Sequence, residues 1–344
     1  MGTRDEDAVG QSRRRWPWIF SGIGAVLVMI VGALTAVAQY GLPWWHGDRD
    51  HNHEFDGLRY QVHLPPHFDG EAELPVIMAI HGCGMTGFGW NSMKSTTQFN
   101  DLADREGFIV VYPTQQMFRD KLNCWRSNDP RHQQRSSGEP LLLAGVARQV
   151  IEDYHADPRQ VHVVGASSGA GTAVILAATY PEIFATATSV AGGEYGLNQV
   201  DPENPDATPP DYTARQAWAQ MGEHARAVPL LVVQGDLDEA VPPLVATRLV
   251  EHWSAVHDLV DDGLLNNSRV WNDTVSTNEV PGGHRYTHTV YTHEGESASA
   301  IELFLVEGMG HAYSGPAAQG LFVDRAGPDT SALVWNFAKD HPLS

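Results

Sequence analysis

The stretch Val161-His162-Val163-Val164-Gly165-Ala166-Ser167-Ser168-Gly169-Ala170-Gly171 decides the fold. Val161–Val164 is a short, mostly apolar run that reads as a strand. From Gly169 to Tyr180 the residues are small and apolar, and they read as a helix. Between the two lies Gly165-Ala166-Ser167-Ser168-Gly169, a G-x-S-x-G sequence. Strand, sharp turn and helix form the setting that a nucleophile elbow requires. Such a turn is strained, so small residues must flank the serine, and Gly165, Gly169 and Gly171 supply them. The turn would lift the Ser167 hydroxyl onto the C-terminal edge of a sheet and aim a helix N-terminus at developing negative charge. The blander alternative is a glycine-rich strand-to-helix turn without chemistry.

Outward from this stretch the pattern alternates. Leu58–Leu64 alternates apolar and polar residues, as a half-buried strand does. Val76–Ile80 and Phe108–Tyr112 are continuous apolar runs suited to buried strands. Ala185–Val190, Leu230–Val233, Tyr286–Tyr291 and Ile301–Val306 are further strand candidates. Leu141–Tyr154, Leu244–His257 and Asp329–Lys339 carry helical spacing, and the Pro- and Asp-rich Asn198–Asp211 reads as a surface excursion. Apolar strands separated by helices predict an α/β protein with a mostly parallel central sheet covered by helices on both faces.

A serine hydroxyl is a poor nucleophile and needs a base. In the α/β-hydrolase fold the partners follow in the order Ser, acid, His. After Leu230–Val233 comes Gln234-Gly235-Asp236-Leu237-Asp238, in which Asp238 is favoured as the acid that turns inward and Asp236 is the reserve. After Ile301–Val306 comes Gly308-Met309-Gly310-His311. Chain order, strand-end position and glycine neighbours select His311 over His284, His288 and His293 among 17 histidines. The predicted triad is Ser167, Asp238 and His311. The oxyanion donors expected are the backbone N–H of Ser168 and one from the His81-Gly82-Cys83-Gly84 loop after Val76–Ile80.

Taken together, His81-Gly82-Cys83, Asn123-Cys124-Trp125, Gly138-Glu139-Pro140, Gly165–Gly169, Gly235–Asp238 and Gly308–Gly315 resemble the polyhydroxybutyrate (PHB) depolymerase-family esterases, relatives of feruloyl and acetylxylan esterases. The resemblance runs from about Arg59 to the C-terminus. It implies a serine carboxylesterase, an oxyanion donor at Cys83 N–H, and Asp238 as the acid. Trp125, Tyr313 and His81 become candidate substrate-binding residues. Ala166 and Ser168 stand where the family often has Leu and Ala, and Tyr313 where Trp is common. No polymer-binding module follows the catalytic region, which points away from a dedicated degrader of insoluble polyester.

Composition sets further bounds. The 344-residue chain carries 42 acidic against 22 basic residues, a net charge of −20, and no nucleic acid partner is expected. Arg13-Arg14-Arg15 precedes an uncharged, largely apolar stretch from Trp16 to Ala38, long enough to cross a bilayer. Ala36-Val37-Ala38 also matches a small-residue cleavage site, so transmembrane anchor and cleaved signal peptide both stay open. Either places the bulk of the chain outside the cytoplasm. The expected organisation is a basic cytoplasmic segment (1–15), an anchor or signal (16–38), a polar linker (39–56) and a catalytic domain (57–344). In the linker, Asp48, Asp50, Asn52 and Glu54 begin a calcium-loop spacing, but His53 stands where the central Gly is needed, and a solvated linker is favoured.

Cys83 and Cys124 are the only cysteines. In an oxidising compartment they are expected to form a disulfide, since both sit just beyond elements that feed the same sheet edge. No metal or organic cofactor is required, and the expected partner is an ester substrate, small or polymeric. The rival readings are a cell-envelope acyltransferase and a non-catalytic surface binding protein on the same fold.

Overall fold

A computed structural model describes residues 16–116 and 122–343. In chain order the elements are α1 (Trp16–Tyr40), β1 (Asp50–Phe55), β2 (Leu58–His63), β3 (Val76–Ile80), α2 (Met93–Thr97), α3 (Phe99–Glu106), β4 (Ile109–Thr114), α4 (Gly138–Tyr154), β5 (Val161–Ala166) and α5 (Ser168–Thr179). They continue with β6 (Thr186–Val190), α6 (Pro210–Met221), β7 (Leu230–Gly235), α7 (Pro243–Asp262), β8 (Trp271–Glu279), β9 (Arg285–His293), β10 (Ile301–Val306), the short pair β11 (Tyr313–Ser314) and β12 (Val323–Asp324), and α8 (Thr330–Lys339).

The sheet order is β1-β2-β4-β3-β5-β6-β7-β10-β9-β8. The run from β4 to β10 is parallel, with antiparallel strands added at both edges. Successive side chains of the parallel strands point to opposite faces. Val76, Met78 and Ile80 therefore join one apolar layer, with residues of α4, α5, α6 and α7. Ile77 and Ala79 join the other, with Phe99 and Leu102 of α3 and Trp335 of α8. Because β3, β4, β5, β7 and β10 all run the same way, their C-terminal ends meet along one edge. Open α/β sheets bind ligands at that edge.

The doubly covered, mostly parallel sheet matches the sequence reading, and each strand expected from the pattern is present. The linker reading of 39–56 is corrected. Asp50–Phe55 is a strand in register with β2. Its polarity comes from an internal ion network: Asp50 accepts from His63 at 2.8 Å and Lys94 at 2.6 Å, and His63 also meets Asp104 at 2.9 Å. The calcium-loop spacing thus lies on an extended edge strand and not on a loop wrapped around an ion. Several other elements escaped the pattern, among them α2, α3 and the short β11–β12 pair. Strand β8 is exposed on nearly every residue, so it lacks an apolar face to betray it. Helix α6 begins where the Pro-rich excursion ends.

Trp16–Ala38 falls on α1, and the side chains described there, from Val28 to Leu34, are largely exposed. Among the described residues no helix is long and apolar enough to cross a membrane, so the membrane-crossing reading is not borne out. The expected basic segment 1–15 lies outside the described residues.

Among the buried histidines, His81, His162, His252 and His257 are the most deeply enclosed, with at most 1% exposure. Burial lowers their pKa values to about 4 for His81 and about 3 for the other three. They are neutral in the folded state, whereas in the unfolded chain they titrate near the ordinary value of about 6.5. The unfolded state therefore binds more protons as the pH drops below that value, and stability is lost from about pH 6.5 down towards pH 3–4. Asp50 adds to this at lower pH. Burial works to raise its pKa, but hydrogen bonds from His63 and Lys94 outweigh burial and hold it well below the carboxylate range. Its contribution is present above about pH 4 and lost below. Thermal melts should show a level Tm above about pH 7 and a steady fall from about pH 6.5 to pH 4. A Tm that stays level across that window would contradict the neutral burial of these rings.

Candidate active site

Ser167 occupies the turn between β5 and α5, with φ 53° and ψ −118°. This is a strained conformation for a residue with a Cβ, worth about 1–3 kcal/mol. The neighbouring backbone makes room for it. A Cβ on Gly165 would overlap the Gly169 carbonyl, and a Cβ on Gly169 would overlap the carbonyls of Ile80 and His81. Ser167 N–H donates to Val190 O of β6 at 2.9 Å, which fixes the turn against the next strand. Ser168 opens α5, so its N–H is among those at the helix start with no partner inside the helix.

Asp238 and His311 come together. His311 Nδ1 donates to Asp238 Oδ2 at 2.7 Å, which leaves its Nε2 available on the cleft side. Asp238 is buried and held on every side. Gln234 Nε2 donates to the same Oδ2 at 3.1 Å, and the N–H groups of Ala240 and Val241 donate to Oδ1 at 2.9 and 2.8 Å. Asp236, the reserve, faces away and accepts from Gly308 N–H at 2.7 Å. It secures the base of the loop that carries His311. Gly235 lets the same loop approach, since a Cβ there would overlap the Met309 carbonyl.

Ser167 and His311 line one cleft of about 320 Å³ together with Gly82, Cys83, Met85, Leu122, Val190, Ala191, Ala240, Tyr313 and Phe322. Its surface is largely apolar. A larger groove of about 490 Å³ lies elsewhere, between α7 and the β8–β9 hairpin, and holds none of the three predicted triad residues.

His81 is fully buried and does not line the cleft. Its Nδ1 lies 2.8 Å from Gly82 O, and Gln115 N–H donates to its Nε2 at 3.0 Å. A carbonyl can only accept, so Nδ1 carries the proton. This bond holds the Gly82 carbonyl on the His81 side. In a trans peptide the N–H of the next residue points the opposite way, so Cys83 N–H is turned away from His81. Gly82 lies against Ser167, with room for a Cβ only 3.2 Å from the serine Cβ. His81 is thus corrected from a substrate contact to a clamp on the loop that is expected to supply an oxyanion donor.

Trp125 is corrected in the same way. It is buried, packs on the His81 ring at 5.4 Å between centroids, and is absent from the cleft wall. Its N–H donates to Ser168 Oγ at 3.4 Å. Tyr313 does line the cleft, but its hydroxyl is engaged with Ser331 Oγ at 2.9 Å, and burial raises its pKa. It offers the cleft its ring. Cys83 and Cys124 are joined in a disulfide across a sequence separation of 41. Beside it Gly84 N–H donates to Leu122 O at 2.6 Å.

Sequence reasoning missed Gln234, Gln115 and the cleft residues Leu122 and Phe322. The first had a visible signal: Gln234 is the one strongly polar residue in an otherwise apolar strand. The cleft residues had none, because their loops are irregular.

Comparison with known proteins shows the family. A family profile described as Esterase PHB depolymerase matches residues 58–264, well over half of the chain. The chain belongs to this esterase family. Among curated relatives, poly(3-hydroxyalkanoate) depolymerase C of Paucimonas lemoignei is 26% identical over 300 residues, covering 83% of this chain and 63% of the relative. Feruloyl esterase B of Neurospora crassa is 31% identical over 195 residues, covering 53% and 64%. The chain thus spans a little under two thirds of the length of these relatives. The solved structure of an acetyl xylan esterase from Aspergillus awamori superposes with a TM-score of 0.60 at 22% identity, over 76% of this chain and 93% of that one, which shows the fold.

The two aspartates make opposite predictions. Asp238→Asn should lower kcat for an ester substrate by about 10³–10⁴-fold, because the His311 ring loses the partner that sets its tautomer. Asp236→Asn should cost less than about tenfold, since it weakens one exposed loop bond. Steady-state kinetics of the two variants decide the assignment, and the reverse ranking would exchange the roles.

Proposed function

We propose that this chain is a serine carboxylic-ester hydrolase that works outside the cytoplasm through an acyl-enzyme. The observation that carries the reading is the His311–Asp238 bond of 2.7 Å on the cleft that also holds Ser167 in its strained turn. In this reading Ser167 Oγ attacks the ester carbonyl carbon while His311 Nε2 takes its proton. Asp238 stabilises the imidazolium, and the N–H groups of Cys83 and Ser168 receive the negative charge that forms on the carbonyl oxygen. Collapse of the tetrahedral intermediate breaks the bond to the alcohol oxygen, which takes the proton from His311. Water, deprotonated by the same histidine, then releases the acid.

The relatives act, by name, on poly(3-hydroxyalkanoate), feruloyl and acetylxylan esters. The cleft favours a neutral aliphatic acyl group. Met85, Leu122, Val190, Ala191, Ala240 and Phe322 provide most of its wall, and among the described residues no Lys or Arg lines it. Hydroxyalkanoate oligomers, with short alkyl branches and ester oxygens, fit that surface better than a charged acid does. An exported location is supported by the Arg13–Arg15 cluster ahead of an apolar stretch and by the disulfide, which oxidising compartments maintain.

A panel of nitrophenyl esters of graded chain length, with feruloyl, acetylxylan and hydroxybutyrate-oligomer substrates, tests the chemistry. Ser167→Ala should lose about 10⁴-fold or more of turnover with its Tm kept. Esters with aliphatic acyl groups should outrank feruloyl esters in kcat/KM. Retained turnover in Ser167→Ala would end the reading. Location is tested separately, by fractionating the source cells and mapping disulfides without reduction. The protein is expected outside the cytosol with Cys83 and Cys124 linked, whereas a cytosolic protein with two alkylated thiols would refute export.

A further inference from the structure

The segment that precedes the catalytic region reaches the back of the active site through one side chain, Gln39. It is buried to 2% exposure although its neighbours in sequence are not. Its amide Nε2 donates to the carbonyl of Gln115 and to Thr114 Oγ1 at 3.2 Å. The docking around it is close. Trp90 N–H donates to Ala38 O at 2.8 Å, and a Cβ on Gly89 would overlap the carbonyls of Ala38 and Gln39. The Tyr40 ring packs on Phe88 and lies 4.4 Å beneath the Arg59 guanidinium.

What Gln39 touches is the strand end that holds the oxyanion loop. Gln115 N–H donates to His81 Nε2, and His81 Nδ1 holds Gly82 O, the carbonyl of the peptide whose N–H belongs to Cys83. Thr114 Oγ1, the second acceptor of Gln39, also takes Gly87 N–H at 3.0 Å, on the continuation of the same loop. Gln115 itself is clamped from the other side: its Nε2 donates to Glu139 Oε1 at 2.5 Å, and Glu139 Oε2 accepts Arg126 N–H at 2.8 Å beside the disulfide. Gln39 therefore closes a chain of hydrogen bonds that begins outside the catalytic region and ends at the oxyanion peptide.

We infer that Gln39 is a positioning residue for the oxyanion loop, acting through Gln115 and His81 on Cys83 N–H. The inference rests on the proposed esterase reading of the site. Oxyanion donors must sit within tenths of an ångström of the developing charge, so the hydrogen bonds behind the Gly82–Cys83 peptide matter alongside the disulfide at Cys83. Without the amide of Gln39, the Gln115 carbonyl and the end of β4 lose a buried donor and the peptide at Gly82–Cys83 gains freedom. Ground-state binding of the ester, which uses the apolar wall, is untouched.

The test is made on the full chain with Gln39→Met, which keeps length and apolar volume but removes the donor. Gly89→Ala is a second variant that displaces the Ala38–Gln39 backbone from the opposite side. At a temperature well below Tm, kcat on a soluble aliphatic ester should fall by about tenfold in both, a fraction of the roughly 10²–10³-fold lost with a whole oxyanion donor. KM should stay within about twofold. Affinity for a trifluoromethyl ketone, whose hemiketal oxygen occupies the oxyanion position, should fall by the same factor as kcat. A lower Tm with kcat and ketone affinity within about twofold of the parent would overturn the proposal and leave Gln39 a purely structural residue. Ser167→Ala, assayed alongside, separates the two readings. If it is inactive while Gln39→Met is fully active, only this inference fails; if it turns over substrate, the esterase reading fails first.

Discussion

The rest of the molecule is arranged around the turn at Ser167. A residue with a Cβ holds φ 53° there because β5 and α5 meet without a spare residue between them. That geometry demands near contact of three backbones: Gly165 on Gly169, Gly169 on the end of β3, and Gly82 on Ser167 itself. A side chain at Gly165 or Gly169 would push the elbow off the strand that carries the oxyanion loop. The strain is sustained because both neighbouring strands, β3 and β6, are buried on both faces and cannot yield. The local cost is thus borne by two apolar layers that also bring the ends of β3, β4, β6, β7 and β10 to the same edge.

Bringing strand ends together also brings polar groups into a dry interior, and the structure meets this with paired donors and acceptors. His81 is the clearest case. Its ring is buried and neutral, its proton is fixed by one carbonyl, and its lone pair is fixed by one N–H. Glu139 does the same for the loop beyond β4, receiving Gln115 and the Arg126 backbone. Asp238 receives four donors: the His311 ring, the Gln234 amide and the N–H groups of Ala240 and Val241. Buried polar groups that are fully partnered hold one geometry, since any shift strands a donor in low dielectric. The disulfide between Cys83 and Cys124 ties the same two loops covalently.

The legible part of this design was local and periodic. The elbow, the parallel strands and the order Ser167, Asp238, His311 could all be read because each depends on a short run of residues. The two aspartates differ in place: Asp238 is buried beside Gln234 and bonded to His311, whereas Asp236 accepts from Gly308 N–H in an exposed loop. What could not be read depended on distant partners. His81 and Trp125 lie beside the site in sequence motif but behind it in space, and only their hydrogen bonds and ring contact distinguish a clamp from a substrate contact. The polar run before Phe55 was read as solvated because the His63 and Lys94 partners of Asp50 lie 13 and 44 residues away in the chain.

One consequence of the loop arrangement concerns how the cleft gains its apolar character. The strand ends contribute mainly polar or small groups to it, namely Ser167, Ala191, Ala240 and His311. The larger apolar side chains, Leu122 and Phe322, come from loops with no role in the sheet. Phe322 is delivered by the excursion between β11 and β12. That excursion is tied to the α2 region by Gln319 N–H on Ser95 O and Leu321 N–H on Asn91 Oδ1, and its ring lies over Gly84. Leu122 is delivered by the loop that the disulfide fastens. The chemistry is therefore built on rigid strand ends while the substrate-facing wall is built on tethered loops. A wall carried on loops can change without moving the strand ends that hold the chemistry.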